Sequence, residues 1–206
     1  MPDCVLTNTG TASFFAAVVD LTKVTNFGRT QGELEEFWLV AVCVAGKNGT
    51  TQAAKVHRFL EGQDGATPFE KIRLIIRSGR LLERLQAVRM GQYRRIEKAF
   101  AGSLGLDLKT CTLDDLTAIM GVGGKTARFF LLHTRAGCEH VVLDTHILRF
   151  LREKCGLKHA PKSTPASPKI YARIEAEARM AIRRKFPRES MAGADLKIWL
   201  AMSGRA

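Results

Sequence analysis

The chain has 206 residues, and its 32 Lys and Arg against 20 Asp and Glu give it a formal net charge of +12. Hydrophobic residues make up 46% and charged residues 25% of the sequence, which is typical of a globular protein and excludes a disordered or collagen-like chain. The positive excess indicates a polyanionic partner.

The apolar residues recur at spacings of three and four, which predicts helices nearly throughout and an all-α fold. In chain order, the predicted helices lie near 34–45, 50–60, 68–76, 81–88, 92–100, 112–119, from 125 onward, 171–186 and 194–202. Residues 160–168 contain three prolines and two serines, which predicts an irregular connection between helices.

Neither a membrane span nor a bound metal is indicated. The longest uncharged apolar run, 37–45, is far shorter than the roughly 18 residues that suggest a span. The first residues lack a positive region followed by an apolar stretch, so we expect no signal peptide and a cytoplasmic, nucleoid-associated location, or the host cytoplasm for a viral protein. Five cysteines without a C-x-x-C pair predict reduced thiols, and no histidine pattern predicts a catalytic metal.

A glycine-rich turn separates two short predicted helices. Thr112, with Asp115 three residues later, approximates a capping box for the first helix. The turn that follows has three glycines within four residues, so side chains leave its backbone N–H groups unobstructed. Free amides and the dipole at the start of the next helix can hold a phosphate. The candidate phosphate-binding residues are Gly121, Val122, Gly123, Gly124 and Thr126.

Two segments carry a family resemblance. Residues 116–127 read Leu-Thr-Ala-Ile-Met-Gly-Val-Gly-Gly-Lys-Thr-Ala, and residues 142–147 read Val-Leu-Asp-Thr-His-Ile. Together they resemble the signature of the helix-hairpin-helix DNA glycosylase superfamily, the endonuclease III-like enzymes. In that family a catalytic lysine follows the hairpin, and a catalytic aspartate comes about twenty residues later. Lys125 and Asp144 occupy those positions, nineteen residues apart.

The sequence departs from the family pattern at three places. Met120 replaces the usual proline, a change that leaves the hairpin amides available. No four-cysteine set follows Cys155, so the resemblance is to small members without an iron-sulfur cluster, and we expect no cofactor. The compact archaeal-type 8-oxoguanine glycosylases tend to carry a terminal lysine, which is absent from the end Gly204-Arg205-Ala206, so the base that is recognised stays open.

The resemblance also implies an architecture. It implies a six-helix lobe at about 31–137, with the helix-hairpin-helix at about 113–133, and a second helical lobe formed by 1–30 and 138–206. Duplex DNA would bind across the cleft between the lobes, and a monomer would suffice for the chemistry.

The same resemblance assigns roles to the predicted site residues. Lys125 would attack the sugar C1′ and form a Schiff base, and Asp144 would stabilise the positive charge that develops on the sugar. His146 could contact a phosphate or orient the carboxylate, or it could have a structural role instead. Asn48 and Gln52 lie where relatives place the residue that fills the gap left by a flipped base. Candidates for the base pocket are Trp38 and Lys47, although a core position for the tryptophan is an equally good interpretation.

We therefore expect a DNA N-glycosylase with abasic-site lyase activity, acting in base excision repair on 8-oxoguanine or on a modified or mismatched pyrimidine. One alternative is a virus-associated enzyme of the same fold that acts on hypermodified thymine. The segments 45–48 and 161–165 resemble that group. The other alternative is a non-catalytic helix-hairpin-helix module that only binds DNA.

Overall fold

The computed structural model describes residues 24–204, and in this range it consists of ten α-helices with no β-strand, as the predicted all-α fold requires. None of these helices is long and apolar enough to cross a lipid bilayer. In chain order they are α1 (Gln31–Cys43), α2 (Gly49–Leu60), α3 (Pro68–Arg77), α4 (Leu81–Ala87), α5 (Tyr93–Ser103), α6 (Leu113–Thr117), α7 (Gly124–Thr134), α8 (Thr145–Lys154), α9 (Pro168–Lys185) and α10 (Met191–Ser203).

Side-chain caps fix where many of these helices begin. The capping box predicted at Thr112 and Asp115 is present at the start of α6, and α1 and α3 also begin with capping boxes. These boxes satisfy backbone N–H groups that a helix leaves unpaired in its first turn. Single side-chain caps start four further helices: Asn48, Asp144, Ser167 and Ser190.

Helix α8 is absent from the predicted helices. Its buried residues Ile147, Leu148 and Leu151 have helical spacing, and Asp144 caps its first turn. The sequence motif around Asp144 drew attention to chemistry, but the same aspartate is a helix start signal. The structure therefore adds a helix directly after the predicted catalytic aspartate.

The buried apolar residues form two clusters, which are the cores of two helical lobes. The larger cluster takes residues from α1 through α7, and the smaller takes residues from the end of α7 through α10. Phe129 and Cys138 pack against both clusters. The boundaries 31–137 and 138–206 stay a prediction, and residues 1–23 of the predicted second lobe lie outside the described part of the chain.

Two helix contacts position the cleft. Helix α1 is buried along most of its length and packs on α7, so the loop after α1 lies near the start of α7. Helix α10 packs along α8. The cleft between the lobes therefore lies between the α1–α7 pair and the α8–α10 pair.

Candidate active site

The glycine-rich hairpin is held against α1 by Arg95. Gly121 has φ +91°, and a Cβ atom there would lie 2.7 Å from the carbonyl oxygen of Arg95. The Arg95 guanidinium donates to Gly121 O at 2.9 Å and to Val42 O at 2.8 Å. Only glycine fits this conformation and this close approach without strain.

The start of α7 leaves its first amides accessible. Gly123 is the exposed N-cap, no side chain caps the helix, and a Cβ on Gly123 would meet nothing within 4 Å. The Val122 side chain is buried, and its amide donates to Ile119 O, so this residue anchors the turn. An uncapped helix start in open space can receive an anion such as a phosphate.

One pocket of about 560 Å³ contains both predicted catalytic residues in its wall. Lys125 comes from the first turn of α7, and Asp144 precedes α8, so the two residues reach the pocket from the two sides of the cleft. His146 and Thr126 also line the pocket. The spacing of nineteen residues in the sequence thus corresponds to one shared site.

The Asp144 carboxyl is partly buried and held in place. Its Oδ1 accepts a hydrogen bond from Ile147 N at 2.8 Å, as the cap of α8. Burial raises the pKa of Asp144, and the charge of Asp195 raises it further, while Lys125 is among the groups that oppose the shift. A carboxylate in this environment gains from a positive charge developing beside it.

The Lys125 side chain is partly buried at the pocket wall. Among residues 24–204, its amine makes no hydrogen bond with another side chain or with the backbone. A lysine amine at this place can attack an electrophile bound in the pocket once the amine is neutral.

Four further pocket residues have suitable chemistry that the sequence patterns did not single out for a site. Phe129 follows Lys125 by one helical turn, and Asp195 and Trp199 stand one turn apart on α10. His133, near the end of α7, completes this group. The Trp199 and His146 rings meet edge to face with centroids 5.8 Å apart. Helical spacing from Lys125 could have suggested Phe129, but α10 is too uniformly apolar for its sequence to show which face meets the pocket.

Two of the four residues predicted for the base pocket or wedge line this pocket. Lys47 does so, and its Nζ donates to Met90 O at 2.6 Å. Burial lowers the pKa of Lys47, as does the nearby Lys55. Asn48 also lines the pocket, but its side chain caps α2 by accepting from Thr51 N at 3.0 Å.

The other two predicted residues lie elsewhere. Trp38 is 0% exposed, donates from Nε1 to Ser103 Oγ at 2.7 Å and packs edge to face on Phe130. Trp38 lies on the buried face of α1. Of the two interpretations of this tryptophan, the structure therefore supports the core position and not the base pocket. Gln52 is 3% exposed on the inner side of α2 and does not reach the pocket wall.

Comparison with known proteins finds a similarity of fold and none of sequence family. No family model matches the sequence, and a search of curated proteins finds no match. Among solved structures, the chain is similar to the crystal structure of Methanocaldococcus jannaschii 8-oxoguanine glycosylase/lyase in complex with a 15mer DNA containing 8-oxoguanine. The TM-score is 0.61 at 17% sequence identity, over 93% of this chain and 88% of that chain. The chain therefore shares the fold of that enzyme.

Proposed function

We propose that this chain is a DNA glycosylase with abasic-site lyase activity that removes a modified or damaged base from duplex DNA. The observation that carries the proposal is that Lys125 and Asp144 line one pocket beside the uncapped start of α7. A lysine amine, a carboxylate and an anion-binding helix start are the groups that this reaction needs at one place.

Duplex DNA is the proposed partner. The open amides at Gly123 and at the start of α7 would hold a backbone phosphate, which positions the strand without reading its sequence. The net charge of +12 supports binding to a polyanion. The similar M. jannaschii enzyme was crystallised with DNA containing 8-oxoguanine.

The proposed reaction begins with the neutral Lys125 amine. Its nitrogen forms a bond to C1′ while the bond between C1′ and the base breaks, and the base leaves with the electron pair and takes up a proton. The sugar ring then opens to a Schiff base, and loss of a proton from C2′ expels the 3′ phosphate. The Asp144 carboxylate stabilises the positive charge on the sugar during the first step. No cofactor takes part in this scheme.

The pocket offers contacts for an extruded base. Phe129 and Trp199 supply aromatic rings for stacking, and the Asp195 carboxylate can accept hydrogen bonds from N–H groups on a base edge. These groups suit 8-oxoguanine or a modified or mismatched pyrimidine, because each presents N–H donors. We propose that specificity resides in these three side chains together with Lys47.

Borohydride trapping tests the proposal. The protein is incubated with duplexes bearing 8-oxoguanine, uracil, mismatched thymine, oxidised or hypermodified pyrimidines, or an abasic site, and sodium borohydride reduces any Schiff base to a stable adduct. Lys125→Arg is the matched control, because it keeps a positive charge for DNA but removes the nucleophilic amine. We expect an adduct with the unmodified protein and none with the variant, although both bind the duplex.

Failure of the wild-type protein to form an adduct on any duplex, despite salt-sensitive binding, would contradict the lyase assignment. Mass spectrometry of the treated DNA then separates the alternatives. An abasic product indicates a glycosylase without lyase activity, and a base of altered mass indicates the base-modifying alternative. Unchanged DNA indicates a binding module.

A further inference from the structure

The backbone leading to Asp144 is stabilised by side chains. Residues 141–144 belong to no helix, and the described range contains no strand that could pair with them. Val141 N donates to Glu175 Oε1 at 3.0 Å, and Leu143 N donates to the Tyr171 hydroxyl at 2.9 Å. Buried backbone groups need such partners, and here α9 provides them.

The Tyr171 hydroxyl joins two points of this segment. It accepts from Leu143 N and donates to Val141 O at 3.1 Å, and the tyrosine side chain is buried. Burial raises the pKa of the phenol, so it remains protonated and able to donate. Thr164 Oγ1 donates to Leu143 O at 2.7 Å from the other side. The residue directly before Asp144 is therefore bonded at both its N–H and its C=O.

The same two α9 side chains also bind α7. Arg128 Nε donates to Glu175 Oε2 at 2.8 Å, and the Arg128 guanidinium lies over the Tyr171 ring, 4.1 Å from its centroid. Arg128 follows Lys125 by three residues on α7, and its Nη1 also donates to Gly124 O at 3.3 Å. One continuous set of contacts thus links the helix that carries Lys125 to the segment that carries Asp144.

The arginine–glutamate pair is buried, with 10% and 6% of the two side chains exposed. Burying an ion pair costs desolvation energy, and apolar residues of the same volume often give equal or greater stability. What a hydrogen-bonded ionic contact adds over an apolar one is direction, because its geometry tolerates little rotation. A fixed relation between two catalytic groups is a reason for such a contact at this place.

We propose that Arg128, Tyr171 and Glu175 form a brace that sets the position of Asp144 relative to Lys125. The proposal rests on the catalytic roles proposed above for those two residues. The three brace residues are positioning residues, since none of them lines the pocket. The brace acts through the backbone at Val141 and Leu143 on one side and through α7 on the other.

Tyr171→Phe tests the brace, because it removes the hydroxyl and keeps the ring beneath Arg128. We expect the single-turnover rate of Schiff-base trapping to fall by about 10- to 100-fold, the effect of a small misplacement of reacting groups. Affinity for the same duplex should stay unchanged. The control is Ile174→Val on the same helix, which removes one methyl group from the same buried cluster and no hydrogen bond to 141–144. It should lower the melting temperature while leaving the trapping rate at the wild-type value.

A second readout does not depend on turnover. Amide hydrogen exchange at Leu143 and the carboxyl titration of Asp144, both followed by NMR, should change in Tyr171→Phe and not in Ile174→Val. Equal trapping rates in the wild type and Tyr171→Phe, or an equal loss in both variants, would overturn the brace. If the wild-type protein forms no adduct, the proposed function fails, and the brace is then decided by NMR: unchanged exchange and titration in Tyr171→Phe would reject it.

Discussion

Oδ2 of Asp195 lies 3.5 Å from Nε2 of His133, and both residues line the pocket that contains Lys125 and Asp144. His133 is 1% exposed, and its other ring nitrogen, Nδ1, lies 2.7 Å from Thr25 Oγ1. Asp195 also contributes to the raised pKa of Asp144, after burial, which is the larger cause. The pocket therefore holds two carboxyl groups, and a change at Asp195 should be detected in the titration of Asp144.

The first prediction concerns the acid limb of the activity profile. Asp144 must be ionised to stabilise positive charge, and its pKa is raised, so activity should disappear as the pH falls through a value above the ordinary range of about 4 for aspartate. Asp195→Asn removes a negative charge that raises this pKa, so the acid limb should move to lower pH. Single-turnover rates between pH 4 and 8, at about half-unit steps, would measure the shift. Asp64→Asn, at an exposed residue outside the pocket, is the control. If the acid limb of Asp195→Asn stayed in place or moved to higher pH, Asp144 would not be the group whose ionisation sets this limb.

The second prediction separates two glycines of the hairpin. Gly121→Ala places a Cβ atom 2.7 Å from Arg95 O at a positive φ, and we expect it to destabilise the fold by about 1–3 kcal/mol. Gly123→Ala meets no atom within 4 Å, so the melting temperature should change little. Its methyl group would lie at the open helix start and should weaken binding to duplex DNA. Thermal melts and fluorescence anisotropy measure the two effects. Equal melting temperatures for Gly121→Ala and the wild type would count against the geometry of the turn.

The third prediction distinguishes the two tryptophans. Trp38→Phe removes the hydrogen bond to Ser103 and leaves space in the core, and it should cost about 1–3 kcal/mol of unfolding free energy. The folded fraction should retain the wild-type trapping rate. Trp199→Ala should do the reverse, with a clear loss of rate and a smaller change in stability, because this ring lines the pocket. Urea titration and single-turnover trapping of both variants measure this contrast. If only Trp38→Phe lowered the trapping rate, this prediction would be contradicted, and Trp38 would be assigned to the base pocket.

The fourth prediction is a pH dependence of stability at Glu36. Burial raises the pKa of this carboxyl to about 7. Because the folded-state pKa lies above that of the unfolded chain, ionisation of Glu36 should reduce stability progressively as the pH rises from about 4 through 7. Glu36→Gln should therefore be more stable than the wild type at pH 8, by about 1–3 kcal/mol, and equal to it below pH 4. Urea titrations at the two pH values test this. The same difference at both would show that the carboxyl titrates normally.

Local signals in the sequence were sufficient for part of this site. The glycines at 121–124, Lys125 and Asp144 lie within 24 consecutive residues of the chain (121 to 144 inclusive), so motif and spacing predicted their association. The capping box at Thr112 and Asp115 was predictable for the same reason, since its hydrogen bonds join residues three apart.

The other residues of the site are brought together by packing between distant parts of the sequence. The aromatic ring of Trp38 would suit a base pocket. However, α1 is buried on nearly every side, so the periodicity of its sequence does not distinguish the residues that face the cleft from those in the core. Asp195 and Trp199 reach the pocket only because α10 packs along α8. The contact of Arg128 with Glu175 joins residues 47 positions apart, and no local pattern indicates such a pair.

Like Arg95, many other arginines of this protein donate hydrogen bonds to backbone carbonyl groups. These bonds limit how much the net charge contributes to DNA affinity. Other arginines whose guanidinium groups donate to carbonyl oxygens are Arg29, Arg73, Arg84, Arg128, Arg135, Arg149, Arg152, Arg179 and Arg183. Their charges still attract DNA over a distance, but N–H groups engaged in this way are less available to phosphates. Counterions are displaced from DNA only where cations reach the backbone. The number of ions released on binding should therefore reflect those lysines and arginines near the cleft whose side chains are not bonded to carbonyl groups. The rate of encounter should instead follow the charge of the whole protein.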